Sequence, residues 1–400
     1  MLILHQSNRL ERLADSLSEV LESPLSSPLA PEIVAVQSIG AARWLALRLA
    51  RRFGVTANIQ FPFPATLLWR LFRAVLPDVP ERSPFAAEVL TWRTLRHLGD
   101  VVAQPGFESL ADYLRGGDDL RRYHLAERIA LLFDEYLVYR PDWILAWEQG
   151  KAAHWQARLW RRMTAGQAVR HRVRLAQEFI GILRDGGPDA ACLPPRISVF
   201  GLTSLPPAHL GLFAAIAQAL DVHLFLLNPC QEYWGTIRDD REIARRAVHE
   251  EPARLYLESG NSLLASLGKT GRDFLDTLQD LDTVEDSRFE DPGEGCLLHA
   301  VQSDLLNLRN RGEGDQGSTA IAEGDRSVQV HSCHSAVREI EVLHDQLLAL
   351  FESEPGLTPA ERRTARAAFR TTWRGGPRAR RRHWSGPSST SSSFPRAAST

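Results

Sequence analysis

Gly268-Lys269-Thr270 is where the residue types of a nucleotide-binding loop stand together in this chain. A phosphate loop needs glycines so that backbone N–H groups can approach phosphate, and a lysine that reaches the outer phosphates. The pattern also requires glycine five residues before Gly268, where Leu263 stands. The flanks, SLLAS and GRDFLDTLQDL, read as helix on both sides rather than strand then helix. The string is therefore a decoy. Leu263, Leu264 and Leu267 are expected to pack, with Lys269 and Arg272 facing water or nucleic acid. The turn Gln6-Ser7-Asn8-Arg9 has neither glycine nor lysine and cannot cradle a triphosphate. His331, Cys333 and His334 cluster at the end of an expected strand, but with His344 on the next helix no spacing matches a zinc site. What remains is the chemistry of binding. The turn Gln37-Ser38-Ile39-Gly40 and the helix start behind it could hold a phosphate. Phe63 or Trp69 could stack on a base, worth ~1–3 kcal/mol per base. Core packing is the competing reading of Trp44 and Trp69, and on the residues alone the preferred one.

These residues need elements to position them. Leu2–His5 reads as a strand and Arg9–Leu21 as a helix. Ile33–Val36 is a β-branched apolar run, hence a buried strand. Ala41–Phe53 repeats apolar residues at helical spacing until Gly54 stops it. Val55–Phe61 looks like another strand, broken by Pro62 and Pro64, and Ala65–Phe72 starts a helix. Phe85–Trp147 and Trp155–Leu183 read as helical. Arginines 158, 161, 162, 170 and 172 there alternate with apolar positions, which is a solvated helix face or the flank of a DNA channel. Ile197–Gly201, Leu210–Leu220 and Val222–Leu227 form a βαβ unit. An ATPase strand at this place would end in Asp-Glu to hold Mg²⁺, whereas ISVFGLTSL ends without an acid. Asp280–Glu294 is expected to be a loop, Leu297–Leu308 a short helix, 311–326 a linker, Ser327–His331 a strand and Ala336–Phe351 a helix. Strands and helices in this order predict an α/β fold with loops gathered at strand C-termini.

Four hundred residues allow two or three domains. No apolar run approaches the roughly 20 residues of a membrane span, and MLILHQSNRLERL turns polar too early for a signal peptide. Four widely spaced cysteines argue against a disulfide framework and for a cytoplasmic protein. Lys151 and Lys269 are the only lysines, so nearly all positive charge is arginine. Ten arginines and one acid follow Pro359, which leaves 37 basic and 48 acidic residues before it. An acidic body with a basic tail places any DNA path in a local groove.

Long, rare strings carry a resemblance. VQSIGAARWL and FGVTANIQFPFPATLLW are similar to the N-terminal region of the RecC family, the gamma chain of the RecBCD exodeoxyribonuclease V. SNRL at Ser7–Leu10, FDEYLVYRPDW at Phe133–Trp143, GLTSLPP at Gly201–Pro207, NPCQEYWG at Asn228–Gly235, LLASLGKTGRD at Leu263–Asp273 and HSCHSAVREIEVLHD at His331–Asp345 follow in family order. The likeness spans about residues 1–360 and the N-terminal part of a longer family chain. It ends where RRTARAAFRTTWRGGPRARRRHW replaces an expected apolar strand. Such a change fits an out-of-frame translation. A genuine basic tail that binds nucleic acid, or a different joining of domains, are the alternatives. In each case 361–400 is expected to be disordered.

The resemblance implies a degenerate, P-loop-NTPase-like helicase domain over 1–80 and 190–310, a helical insertion over 81–189, and the start of a second helicase-like domain over 327–360. It implies a subunit without ATPase chemistry in an ATP-dependent helicase and nuclease complex. Such a subunit guides single-stranded DNA, scans it for Chi, and acts in double-strand break repair by recombination. Its partners would be RecB, RecD, double-stranded DNA ends and single-stranded DNA. It would carry no cofactor, with ATP and Mg²⁺ used by the partner subunits. By motif, the implied DNA contacts are Gln37, Arg43, Phe63, Trp69, Leu132, Asp134, Arg140 and Arg172. Ile39 and Leu131 stand where the family pattern has Thr and Asp, and Arg43 where it has Gln, which leaves the recognised motif open. The competing expectation is a truncated fragment, or a small DNA-binding interaction protein.

Overall fold

A computed structural model describes residues 1–27, 29–166, 170–186, 192–247, 260–311, 318 and 320–353. The arginine-rich segment 361–400 and part of the expected linker lie outside the described residues. The centre is a parallel sheet of six strands in the order β3-β2-β4-β5-β1-β6. The strands are β1 (Leu2–Ser7), β2 (Glu32–Val36), β3 (Ile59–Gln60), β4 (Arg196–Leu202), β5 (Asp221–Leu227) and β6 (Val284–Ser287). Apolar side chains alternate to both faces, so both faces must be covered. On one face Val34, Val36, Phe200 and Phe225 pack against α1 (Leu10–Glu22) and α2 (Ile39–Phe53). On the other, Leu4, Ala35, Val199 and Leu224 meet α3 (Pro64–Val75), α9 (Arg172–Arg184), α10 (Pro207–Ile216) and α13 (Lys269–Gln279).

The long helical stretch supplies α4 (Ala87–Val101), α5 (Glu108–Leu114), α6 (Asp119–Tyr139), α7 (Pro141–Glu148) and α8 (Trp155–Thr164). Pro141 cannot continue α6 and starts α7 instead. These helices close their own core around Phe133, Trp147 and Trp160. The helix α9 serves both cores, with Val173 in the helical one and Leu175 and Phe179 under the sheet. Helix α11 (Asp240–Ala247) follows β5, and α12 (Ser262–Leu267) leads into α13. Helices α14 (Leu297–Leu306) and α15 (Ala336–Ser353) complete the described elements.

Four expectations change. The strand expected over Val55–Phe61 shrinks to Ile59–Gln60, because Asn58 turns the chain at φ +58° and ties its amide to the Leu29 and Ala30 carbonyls. Within Asp280–Glu294 the segment Val284–Ser287, with Glu285 and Asp286 at its centre, forms an edge strand rather than a loop. Its acids are matched to polar residues of β1, with Asp286 3.0 Å from His5 and Glu285 accepting from Gln6 at 3.3 Å. Ser327–His331 is irregular: among the described residues no strand lies beside it, and Val330 is fully exposed. Around the decoy, Leu264 packs as expected, but Leu263 and Leu267 are exposed and Arg272 is buried.

Candidate nucleic-acid interface

At several places in the sheet neighbouring strands send their chains to opposite faces, and two of them concern the strands that carry the singled-out turns. Such points leave a crevice outside the strand C-termini. One lies between β1 and β5. There Asn8 and Glu290 exchange a reciprocal pair of hydrogen bonds, side-chain amide to backbone, at 2.8 and 3.0 Å. The Glu290 carboxylate accepts from Arg9 at 2.6 Å and Arg12 at 2.7 Å. The Arg12 hydrogen bond holds the Glu290 carboxyl below its usual range. An anion of the protein itself thus engages the arginines at this turn, and Glu11 and Asp291 add negative charge to the crevice.

The second crevice lies between β2 and β4 and is open. Gln37, the first residue after β2, donates from Nε2 to the Ser204 carbonyl beyond β4 at 2.8 Å. This bond fixes the two loops to each other and leaves the Gln37 Oε1 as an acceptor. Gly201, at φ +70° beside a register shift between β4 and β5, lets the chain turn away from the sheet there. Phe63 caps α3 with its ring 44% exposed, and Tyr139 ends α6 with its side chain exposed. The polar face of α13 supplies Thr270, Asp273 and Thr277, at spacings of three and four that place them on one side of the helix. His209 lies among them. Burial, with Arg172 adding to it, lowers its pKa to about 4, so the imidazole is neutral near pH 7. The cavity of about 630 Å³ falls within the ~300–1,000 Å³ of small-ligand sites.

Of the residues marked by motif, Gln37 and Phe63 meet in this crevice. Asp134 and Arg172 meet each other instead, with Arg172 donating at 2.7 Å across α6 and α9. Arg140 lies over the Trp143 ring at 3.7 Å and pairs with Asp142. Arg43 is exposed on α2, and Leu132 is half-buried on α6; neither lines the crevice. Trp69 packs against the sheet core, and its indole N–H reaches the Pro80 and Glu81 carbonyls, both at 3.2 Å. Sequence reasoning missed Tyr139, His209 and the Thr270-Asp273-Thr277 face. The helical spacing of those three polar residues was the available signal. Decoy Lys269 precedes them, while Gly268 and Gly271 make room for the Trp234 indole: a Cβ at either would stand 2.8 or 3.0 Å from its ring.

These elements define a parallel α/β sheet with a crevice at each of two points along its strand C-termini, one where Glu290 engages Arg9 and Arg12 and one bordered by Gln37, Phe63 and Asp273. A family described as "RecC, N-terminal domain" matches residues 2–308, and the chain belongs to the RecC family. RecBCD enzyme subunit RecC of Escherichia coli (strain K12) is 36% identical over 407 residues, covering 90% of this chain and 36% of that protein. The protein of the same name from Haemophilus influenzae is 34% identical, with 90% and 38% covered. That from Mycolicibacterium smegmatis is 33% identical, with 90% and 32% covered. The chain thus spans about a third of the length of these relatives. No helix among the described residues is long and apolar enough to cross a membrane.

Proposed function

We propose that this chain is a non-catalytic, strand-guiding part of a RecC-type subunit. It holds single-stranded DNA at the open crevice between β2 and β4 for a helicase and nuclease complex formed with RecB and RecD. Its α/β body would be a degenerate helicase domain, and its role recombinational repair in the cytoplasm. The observation that carries this reading is the crevice itself, where an exposed aromatic ring, amide and carboxylate groups stand at the sheet's open switch point. Aromatic side chains beside polar groups suit unstacked bases. Arg43 and Arg70, exposed on the flanking helices, supply positive charge within an otherwise acidic body. The Glu290 contacts to Arg9 and Arg12 support the absence of nucleotide chemistry, since a phosphate at that turn would meet a carboxylate already in place.

The test is anisotropy of a labelled oligothymidine of roughly 15 nucleotides with the full chain over a range of salt. Binding that weakens as salt rises, with a further loss in Arg43→Ala, is expected. ATP turnover by the isolated chain should be no higher than in Lys269→Ala. Co-purification with RecB and RecD tests assembly. Absence of oligonucleotide binding at the lowest salt overturns the strand-guiding role.

A further inference from the structure

Strand β6 is an open edge of the sheet. It pairs with β1 from Ile3 and Val284 to Gln6 and Ser287, and among the described residues no strand lies on its other side. Val284, Glu285 and Ser287 are exposed. A bare edge presents backbone N–H and C=O groups that can template a further strand. Charge decides which strand. Asp280–Asp286 carries four carboxylates and no basic residue. Asp286 is matched by His5 and Arg288, and Glu285 takes the Gln6 amide. Asp280 and Asp282 have no ion-pair partner among the described residues.

A cavity of about 640 Å³ opens beside this edge, on the sheet face that carries Leu4. Leu4, Leu275 and Leu278 line its apolar part, and the exposed Glu232, Asp282 and Glu285 line its polar part. Glu232, like Asp282, has no ion-pair partner among the described residues. Leucine walls below carboxylates suit a long basic side chain, whose stem packs on the apolar surface while its cation stays at the mouth. A strand sends alternate side chains to one face, so a segment laid along β6 places every second residue over this cavity. We propose that the β6 edge is a docking surface for an extended, basic segment of another protein. The segment adds to the sheet as a strand and sets an arginine or lysine among Glu232, Asp282 and Glu285. Main-chain bonds to β6 hold it, and the carboxylates select its charge. The same carboxylates repel acidic strands and a second copy of this edge. With β5 and β1 between β6 and β4, the surface is separate from the crevice between β2 and β4.

The experiment titrates the full chain into a fluorescently labelled peptide of about ten residues, alternating valine and arginine, and follows anisotropy. Binding is expected, and a peptide with glutamate in place of arginine should not bind. Two further peptides are N-methylated, one on the valine amides and one on the arginine amides, and both keep their charge. The one whose donors face β6 should bind about tenfold more weakly. Asp282→Asn combined with Glu232→Gln, both on exposed side chains, should also weaken binding about tenfold while the unfolding midpoint stays unchanged. Parent affinity in both methylated peptides overturns strand addition. Parent affinity in the double variant overturns the placement of the basic side chain. No binding of the unmethylated arginine peptide overturns the proposal, and an edge already filled by residues 361–400 or by a second copy gives that same result.

Discussion

The Glu148 carboxylate, at the end of α7, accepts from the His171 imidazole Nε2 across 2.6 Å at the start of α9. Both side chains are buried, and the His171 Nδ1 accepts in turn from the Arg174 backbone N–H. Glu148 also takes bonds from Arg174 Nε at 3.0 Å and the Trp160 indole at 3.4 Å. One carboxylate thus ties the helical core to the helix that runs under the sheet.

Removing it strands a buried imidazole and an arginine. Glu148→Ala is expected to lose about 3 kcal/mol in urea unfolding, in the range for a broken buried pair. Glu148→Gln, which still accepts one bond, should lose less. Burial acts to raise the Glu148 pKa, but the His171, Arg174 and Trp160 contacts outweigh it and hold the group below its usual value. The contribution is therefore present above the unfolded pKa near 4.3 and is lost as pH falls through the lower folded value. Unfolding midpoints measured down through the acid range should show that loss in the native chain and not in the alanine variant.

Two histidines act in the opposite part of the scale. Burial lowers His209 and His223 to about 4, with Arg172 adding to the first and His5 to the second. Their unfolded value is about 6.5, so between these values the unfolded chain binds more protons. Stability is full above about 6.5 and falls as pH drops from there toward 4. Each should remove on the order of 1 kcal/mol between about pH 7 and 5, after allowance for partial exposure. His223→Gln should flatten the dependence of the unfolding midpoint on pH, and an unchanged slope would contradict it.

The decoy glycine has a packing role that can be measured. A Cβ on Gly268 would stand 2.4 Å from the Leu264 carbonyl and 2.8 Å from the Trp234 ring. Gly268→Ala is expected to cost about 2 kcal/mol as an overpacked site. Lys269→Ala, on an exposed side chain, should stay within about 0.5 kcal/mol of the parent. Calorimetry of both variants separates a glycine needed by an indole from one needed by a ligand.

Much of the sheet was legible because its strands are short apolar runs between helical periodicities, as in Ile33–Val36 and Val222–Leu227. The edge strand Val284–Ser287 was not, since its acids take up the polar side chains of His5 and Gln6, about 280 residues away in sequence, besides the neighbouring Arg288. Arg272 read as surface, yet it is buried with its guanidinium on the Ile237 carbonyl and near Glu242. Local pattern carries no information on such distant partners. The same limit applies to the crevice. Gln37 and Phe63 stood out within one stretch, whereas His209, Asp273 and Tyr139 come from three other elements that only the folded sheet brings beside them.

Phe63 and Trp69 are six residues apart and both aromatic, but the fold gives them different work. Phe63 precedes the first turn of α3 with its ring in the open crevice. Trp69 lies one and a half turns further on, against the edges of Phe72 and the sheet core, with its N–H committed to the Pro80 and Glu81 carbonyls. Phe63→Ala should therefore leave the unfolding midpoint unchanged and weaken oligothymidine binding about tenfold, the loss of one base stack. Trp69→Ala should remove about 2 kcal/mol of stability, less than a fully buried tryptophan would, through lost packing and the loosened Pro80 turn. Its effect on DNA affinity, measured well below the unfolding temperature, should be small. A Trp69 variant that keeps full stability and loses DNA binding would move the stacking role from Phe63 to the indole.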